Sequence, residues 1–118
     1  MKLSEHFDSD EFRCKCCGMF IHNQQLINDL EHLRLIYGRP IHITRHGGNR
    51  CQIQNEKSGG AKHSKHLTGE AADIWIEDVS PRDVYLECCK LWPDSHGIGH
   101  YHTFTHLDVR QEKARWSA

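Results

Sequence analysis

The chain has 118 residues, enough for one domain spanning residues 1–118 and too few for two independent cores. Its 15 Lys and Arg face 16 Asp and Glu, a formal charge of −1, which lacks the basic excess of a nucleic-acid binder. Mean hydropathy is −0.70, and no apolar run approaches the roughly 18 residues of a membrane helix, so neither nucleic acid nor membrane is an expected partner.

The first residues hold no apolar stretch leading to a small-residue cleavage site, so cytosolic synthesis without a signal peptide is expected. Residues 4–12 mix Phe7 and Phe12 with acids and predict a short turn packed on the core. Residues 23–37 form the clearest helix: Leu26, Ile27, Leu30, Leu33 and Tyr37 recur at helical spacing. Asn23 is placed to cap it, and Gly38 to end it ahead of Pro40. Residues 41–44 read as a short β-branched strand. Residues 45–69 are polar and rich in glycine, a long loop with one helical turn near 52–57; loops of that length in small domains tend to be functional. Residues 71–76 predict a buried strand. Ser80-Pro81-Arg82-Asp83 predicts a helix start, and that helix stops at Pro93. Residues 97–101 and 105–110 predict a hairpin, and the tail from 111 is polar apart from Trp116. The order predicts an α+β fold: a small antiparallel sheet with helices packed on one side.

The six cysteines are Cys14, Cys16, Cys17, Cys51, Cys88 and Cys89. They do not form a paired CxxC array, and reduced, partly buried thiols are the expected state, with a structural zinc on the first cluster as the alternative. Among the 11 histidines, His66 lies in the loop before an apolar strand that contains Asp73. A buried carboxylate needs a cation or donors: a metal, an arginine or a capped loop would each serve. In residues 105–110, His106, Asp108 and Arg110 share one strand face, and Leu107 and Val109 share the other. The polar face is either solvated or lines a site. His46 and His63 lie in the glycine-rich loop near these residues.

Taken together, these segments resemble peptidase M15, the zinc D-Ala-D-Ala carboxypeptidase and peptidoglycan endopeptidase family, and in particular its short phage and prophage branch. The likeness rests on Ser64-x-His66-x-x-Gly69-x-Ala71-x-Asp73 and on Gly97-Ile98-Gly99 through Thr105-His106-Leu107-Asp108-Val109-Arg110. Support comes from Ser4 to Gly18, from Arg50-Cys51 with Asn55 and Gly59-Gly60, and from Lys113 to Trp116. The resemblance implies a hedgehog/DD-peptidase-like fold and one zinc per chain held by His66, Asp73 and His106, with an activated water attacking an amide carbonyl. It implies that Arg50 contacts the substrate carboxylate or the developing oxyanion, and that Ser64 contacts substrate or supports a ligand. Many relatives carry a Glu shortly before the last zinc histidine, and this chain has none there. His102 is then expected as general base, and Asp108 as a second candidate or as the partner that orients His106. The implied partner is the peptidoglycan stem peptide, met by a monomer at the bacterial wall after phage lysis or as part of a virion. The competing reading is an inactive, zinc-stabilised wall-binding or virion module.

Overall fold

A five-stranded mixed sheet organises the chain, with strand order β1-β2-β4-β3-β5. The structure, a computed structural model, describes residues 1–118. The elements are α1 (Gln24–Tyr37), β1 (Ile41–Ile43), α2 (Gln52–Lys57), β2 (Ala71–Ile76), α3 (Pro81–Leu91), β3 (Gly97–His100), β4 (Thr105–Asp108) and β5 (Ala114–Ser117). No helix is long and apolar enough to cross a membrane.

The local signals act where the sequence puts them. Asn23 accepts the Leu26 N–H at 3.0 Å, and Gly38 closes α1 in the left-handed region at φ 63°. Ser80 accepts the Asp83 N–H at 3.1 Å with Pro81 in the first turn of α3. β2, β4 and β3 pair antiparallel, as the hairpin reading expects. The sheet nevertheless departs from an antiparallel one. The polar tail supplies β5, which runs parallel to β3 at the sheet's edge. Arg115 anchors it by donating to the carbonyls of Trp92 and Ser95. A four-residue edge strand bonded on one side carries no apolar alternation, so its sequence reads as tail.

The sheet has two unlike faces. Ala72 and Ile74 of β2, Leu107 of β4, Ile98 of β3 and Ile41 of β1 join Leu26, Ile27, Leu30 and Leu33 of α1 and Val84 and Cys88 of α3 in one core, which Phe7 and Phe12 extend. Each large side chain buried there contributes about 1.5–3 kcal/mol. The helices α1 and α3 thus pack on one side as expected, while α2 supplies nothing to this core. The register sets the other face. Asp73 pairs with His106, His106 with Gly99, and Gly99 with Trp116, a row across four strands. The next row is Ala71, Asp108, Gly97 and Ala114. A Cβ on Gly99 would collide with the Trp116 indole, and one on Gly97 with the Asp108 carboxylate. These two glycines leave the room that the polar face occupies.

Candidate metal centre

Asp73 enters the second face from the middle of β2. Its backbone is fixed on both sides: Asp73 N–H donates to Gly47 O at 2.8 Å, and Thr44 N–H donates to Asp73 O at 3.0 Å. The loop after β1 therefore runs alongside β2, and its next carbonyl, Gly48 O, meets His66 Nδ1 at 2.9 Å. His66 sits in a 3-10 turn, Lys65–Thr68, whose cap is Ser64; the Ser64 hydroxyl accepts the His66 N–H at 3.2 Å. The Arg50 N–H donates to His66 O at 3.0 Å. His106 comes from β4, directly across from Asp73.

The ligand-capable atoms of His66, Asp73 and His106 lie within 4.8 Å of one another, and all three residues are buried. His66 Nε2 is 3.2 Å from Asp73 Oδ1, and His106 Nδ1 is 3.0 Å from the same oxygen. The hydrogen bonds behind the rings decide what these atoms present. Gly48 O can only accept, so His66 Nδ1 carries the proton and Nε2 shows a lone pair. An Asp108 carboxylate can only accept, so His106 Nε2, at 2.8 Å, carries the proton and Nδ1 shows a lone pair. Two imidazole lone pairs and a carboxylate oxygen thus face one point. That arrangement repels itself unless a cation or extra protons stand between them. Two neutral imidazoles and one carboxylate, each with its far side hydrogen-bonded, is the donor set of a three-ligand zinc centre with room for a fourth ligand.

The titration of the group follows the same logic. Where extra protons stand between the groups, the imidazoles donate to Asp73: burial acts to raise its pKa, but these hydrogen bonds outweigh burial and hold the carboxyl far below the usual range. Burial acts to lower that of His106, and Asp108 and Asp73 outweigh it and raise it. Asp108 is likewise held low, burial being overcome by its bonds from His106 and Arg110.

Asp73's second oxygen, Oδ2, accepts from Arg50 at 3.2 Å. Arg50 also donates to His46 O at 2.8 Å and to Asn55 Oδ1 at 3.4 Å. Three of its five N–H groups are thereby engaged, leaving two for the cleft. Burial draws its pKa down while the nearby Asp73 and Tyr101 oppose that. The cleft above the three ligands has a volume of about 390 Å³. Arg50, Lys65 and Arg110 line it, with Tyr101, Phe104 and Trp116 as an aromatic wall and Gly59, Gly60 and Ala61 on another side. Trp116 packs on His106 with ring centres 5.0 Å apart, and its Nε1–H donates to the Tyr101 hydroxyl at 2.9 Å. Tyr101 in turn stacks on Phe104 at 4.5 Å.

Of the residues singled out in the sequence, the structure brings together His66, Asp73, His106, Arg50 and Ser64. It does not bring His102 to them. His102 is exposed in the bend between β3 and β4 and does not line the cleft, because the two residues that turn inward there are Tyr101 and Phe104. Asp108 is fully buried behind His106 and takes five N–H donors, from Gly97, His106 and three positions on Arg110. No lone pair is left to receive a substrate proton, so the geometry suits it to orienting His106 and not to acting as general base. His46 turns an unpaired Nδ1 inward and stays out of the cleft lining. Sequence reasoning missed Gly48, whose contribution is a carbonyl that any residue type carries. It also missed Tyr101, for which the signal was available: an aromatic residue in the short connection between the two strands that bear the site.

A family model described as Peptidase M15 matches residues 5–108 of the chain. No curated protein and no solved structure gives a significant match.

Proposed function

The chain belongs to the peptidase M15 family, and from that premise we propose that it is a zinc metallopeptidase of the bacterial cell wall, hydrolysing peptide bonds that involve D-amino acids in peptidoglycan stem peptides. This reading takes the fold as that of hedgehog and DD-peptidase domains. The observation that carries it is the convergence of two imidazole lone pairs and one carboxylate oxygen on the floor of an open cleft. When bound there by His66, Asp73 and His106, zinc supplies Lewis-acid polarisation of a carbonyl and activation of water.

The chain's own residues account for the rest. Asp108 and the Gly48 carbonyl fix which nitrogen each histidine offers. Arg50 holds Asp73 and turns its remaining N–H groups toward the cleft, where they suit a substrate carboxylate or a developing oxyanion. Three cationic side chains, Arg50, Lys65 and Arg110, line the cleft beside a single carboxylate, Asp73. That balance favours a substrate bearing a free carboxylate, as a stem peptide ending in D-Ala-D-Ala does. The Tyr101 hydroxyl already accepts the Trp116 N–H, so its own proton is free to donate toward substrate.

Mass spectrometry of defined muropeptides tests the reading and names the bond. The zinc-loaded protein is expected to add water across one stem-peptide bond, releasing terminal D-Ala or separating a cross-linked dimer, and His66→Ala to do neither. No cleavage of any stem peptide between pH 5 and 9 by protein shown to hold zinc at His66 overturns it, and leaves the inactive wall-binding module as the reading.

A further inference from the structure

A second group of metal-binding atoms lies outside the cleft. Residues 12–21 fold back on themselves: Cys14 N–H donates to Met19 O at 2.9 Å, and Gly18 N–H donates to Cys14 O at 2.8 Å. Gly18 makes the reversal at φ 78°, where a side chain would be strained. This knuckle is tied to the loop before α2. Asn49 N–H donates to Phe12 O at 2.7 Å, and Ile21 N–H donates to Asn49 Oδ1 at 2.5 Å. The tie carries Cys51 to Cys14, and the Cys51 N–H donates to Cys14 Sγ at 3.3 Å.

The sulfurs of Cys14, Cys17 and Cys51 lie within 4.8 Å of one another. Cys16, exposed, is the chain neighbour of Cys17. All six cysteines are free. A tetrahedral centre with metal–sulfur bonds of 2.3 Å has sulfurs about 3.8 Å apart. The cluster's 4.8 Å limit admits that spacing, and none of its thiols is bridged in a disulfide. The Cys51 N–H donated to Cys14 Sγ favours the thiolate there, which is the form that binds metal. The thiols are free, as expected, and for the first cluster the geometry favours the alternative of a structural metal.

We propose that Cys14, Cys17 and Cys51 bind a second metal ion of the thiophilic class, zinc being the best match, with Cys16, adjacent to Cys17 in the chain, as the candidate fourth ligand. Each ligating thiol gives up its proton to solvent as the ion binds, and no oxidation is involved. The role is structural. The knuckle it closes rests on Gly48 and Asn49, and the same loop supplies the carbonyl that orients His66 and the guanidinium that holds Asp73. A Cβ on Gly48 would strike the backbone of Phe12, which shows how closely the two segments meet. The inference rests on the cysteine geometry and is independent of what the cleft hydrolyses.

Metal analysis of full-length protein, isolated from zinc-supplied cells in the presence of a phosphine reductant, tests it. Two zinc ions per chain are expected in the wild type. One is expected in His66→Ala and one in Cys51→Ser. Cobalt(II) substitution gives a second readout that needs no cysteine variant: wild type and His66→Ala should both show an intense thiolate-to-cobalt charge-transfer band in the near ultraviolet, which a His/Asp centre cannot produce. A mercurial thiol reagent should release one of the two zinc ions. A wild-type chain that binds one metal with no thiolate band overturns the proposal. So does an intact mass two hydrogens short, located to a bond between Cys51 and Cys14 or Cys17.

Discussion

Asp108→Asn removes one oxygen from the most heavily bonded carboxylate in the chain. Oδ1 accepts from Gly97 N at 3.1 Å, Arg110 N at 3.2 Å and Arg110 Nε at 2.8 Å. Oδ2 accepts from His106 Nε2 at 2.8 Å and from the Arg110 terminal nitrogen at 2.7 Å. An amide can keep its oxygen on the side with three donors, and its NH2 then faces two N–H groups. The mutation forfeits two charge-assisted bonds worth about 1.5–3 kcal/mol each. Arg110 is 31% exposed on its side chain and recovers part of its share from water. The net fall in stability should be about 2–4 kcal/mol. His106 has a further escape: moving its proton from Nε2 to Nδ1 restores a bond to the amide but blocks the atom that faces Asp73. Zinc affinity should therefore fall about 10- to 100-fold, or about 1.4–2.7 kcal/mol. Competition against a chromophoric chelator at neutral pH measures the second quantity, and urea unfolding of the metal-free protein measures the first. A zinc Kd within twofold of wild type would refute the claim that Asp108 sets the His106 tautomer.

Three further outcomes follow from the same contacts. Gly97→Ala drives a methyl into the Asp108 carboxylate and the Arg110 guanidinium; it should cost about 1–3 kcal/mol in urea unfolding and weaken zinc binding in step. Arg50→Lys keeps the charge but loses the fork that spans Asp73, His46 and Asn55; steady-state assays should show a larger loss on a carboxylate-ended peptide than on its amide. Glu31 ties the N-terminal segment to α1 by accepting from Ser4 and from His6 N–H at 2.7 Å. Burial acts to raise its pKa, but these hydrogen bonds outweigh burial and the net shift is downward. Its contribution is thus complete above the unfolded value of about 4.3 and is lost as pH falls through the lower folded value. Hydrogen exchange at Leu3 and Ser4 should accelerate below that point in the wild type, and Glu31→Gln should show the faster exchange already at neutral pH.

The parts of the fold that the sequence made legible are those set by neighbours along the chain. The cap at Asn23, the stop at Gly38 and the Ser80-Pro81 start depend on residues within one turn, and they stand where the pattern put them. β5 was illegible because its formation depends on β3 and on the Arg115 bonds to Trp92 and Ser95, none of which leaves a periodic trace in residues 114–117. The site divides in the same way. His66, Asp73 and His106 lie in two short motifs, and strand alternation alone sets His106 and Asp108 on one face. Whether Asp108 is free to take a proton depends on Gly97 and Arg110 filling its lone pairs, which strand parity does not express. His102 was misdirected for a similar reason: nearness in sequence to His106 says nothing about which way a bend turns its side chains. The cysteines needed two hydrogen bonds between distant segments, from Asn49 N–H to Phe12 O and from Cys51 N–H to Cys14 Sγ, to bring the first cluster and Cys51 together.

One register specifies both the core and the metal centre. Ala72, Leu107 and Ile98 pair across three strands into the core, and Asp73, His106 and Gly99 pair across the same strands one residue on. A slip of one residue in β4 would turn Leu107 out to the cleft and press His106 and Asp108 into the core. The charged face would then lose its donors at the moment the apolar face lost its packing. Alternative registers are thereby penalised twice. Substitutions that trim the core while keeping alternation, such as Ile74→Val, should lower stability by about 0.5–1.5 kcal/mol and leave zinc affinity at the wild-type value. A matching loss of metal binding in Ile74→Val would show that core packing positions the ligands directly, and not through the register alone.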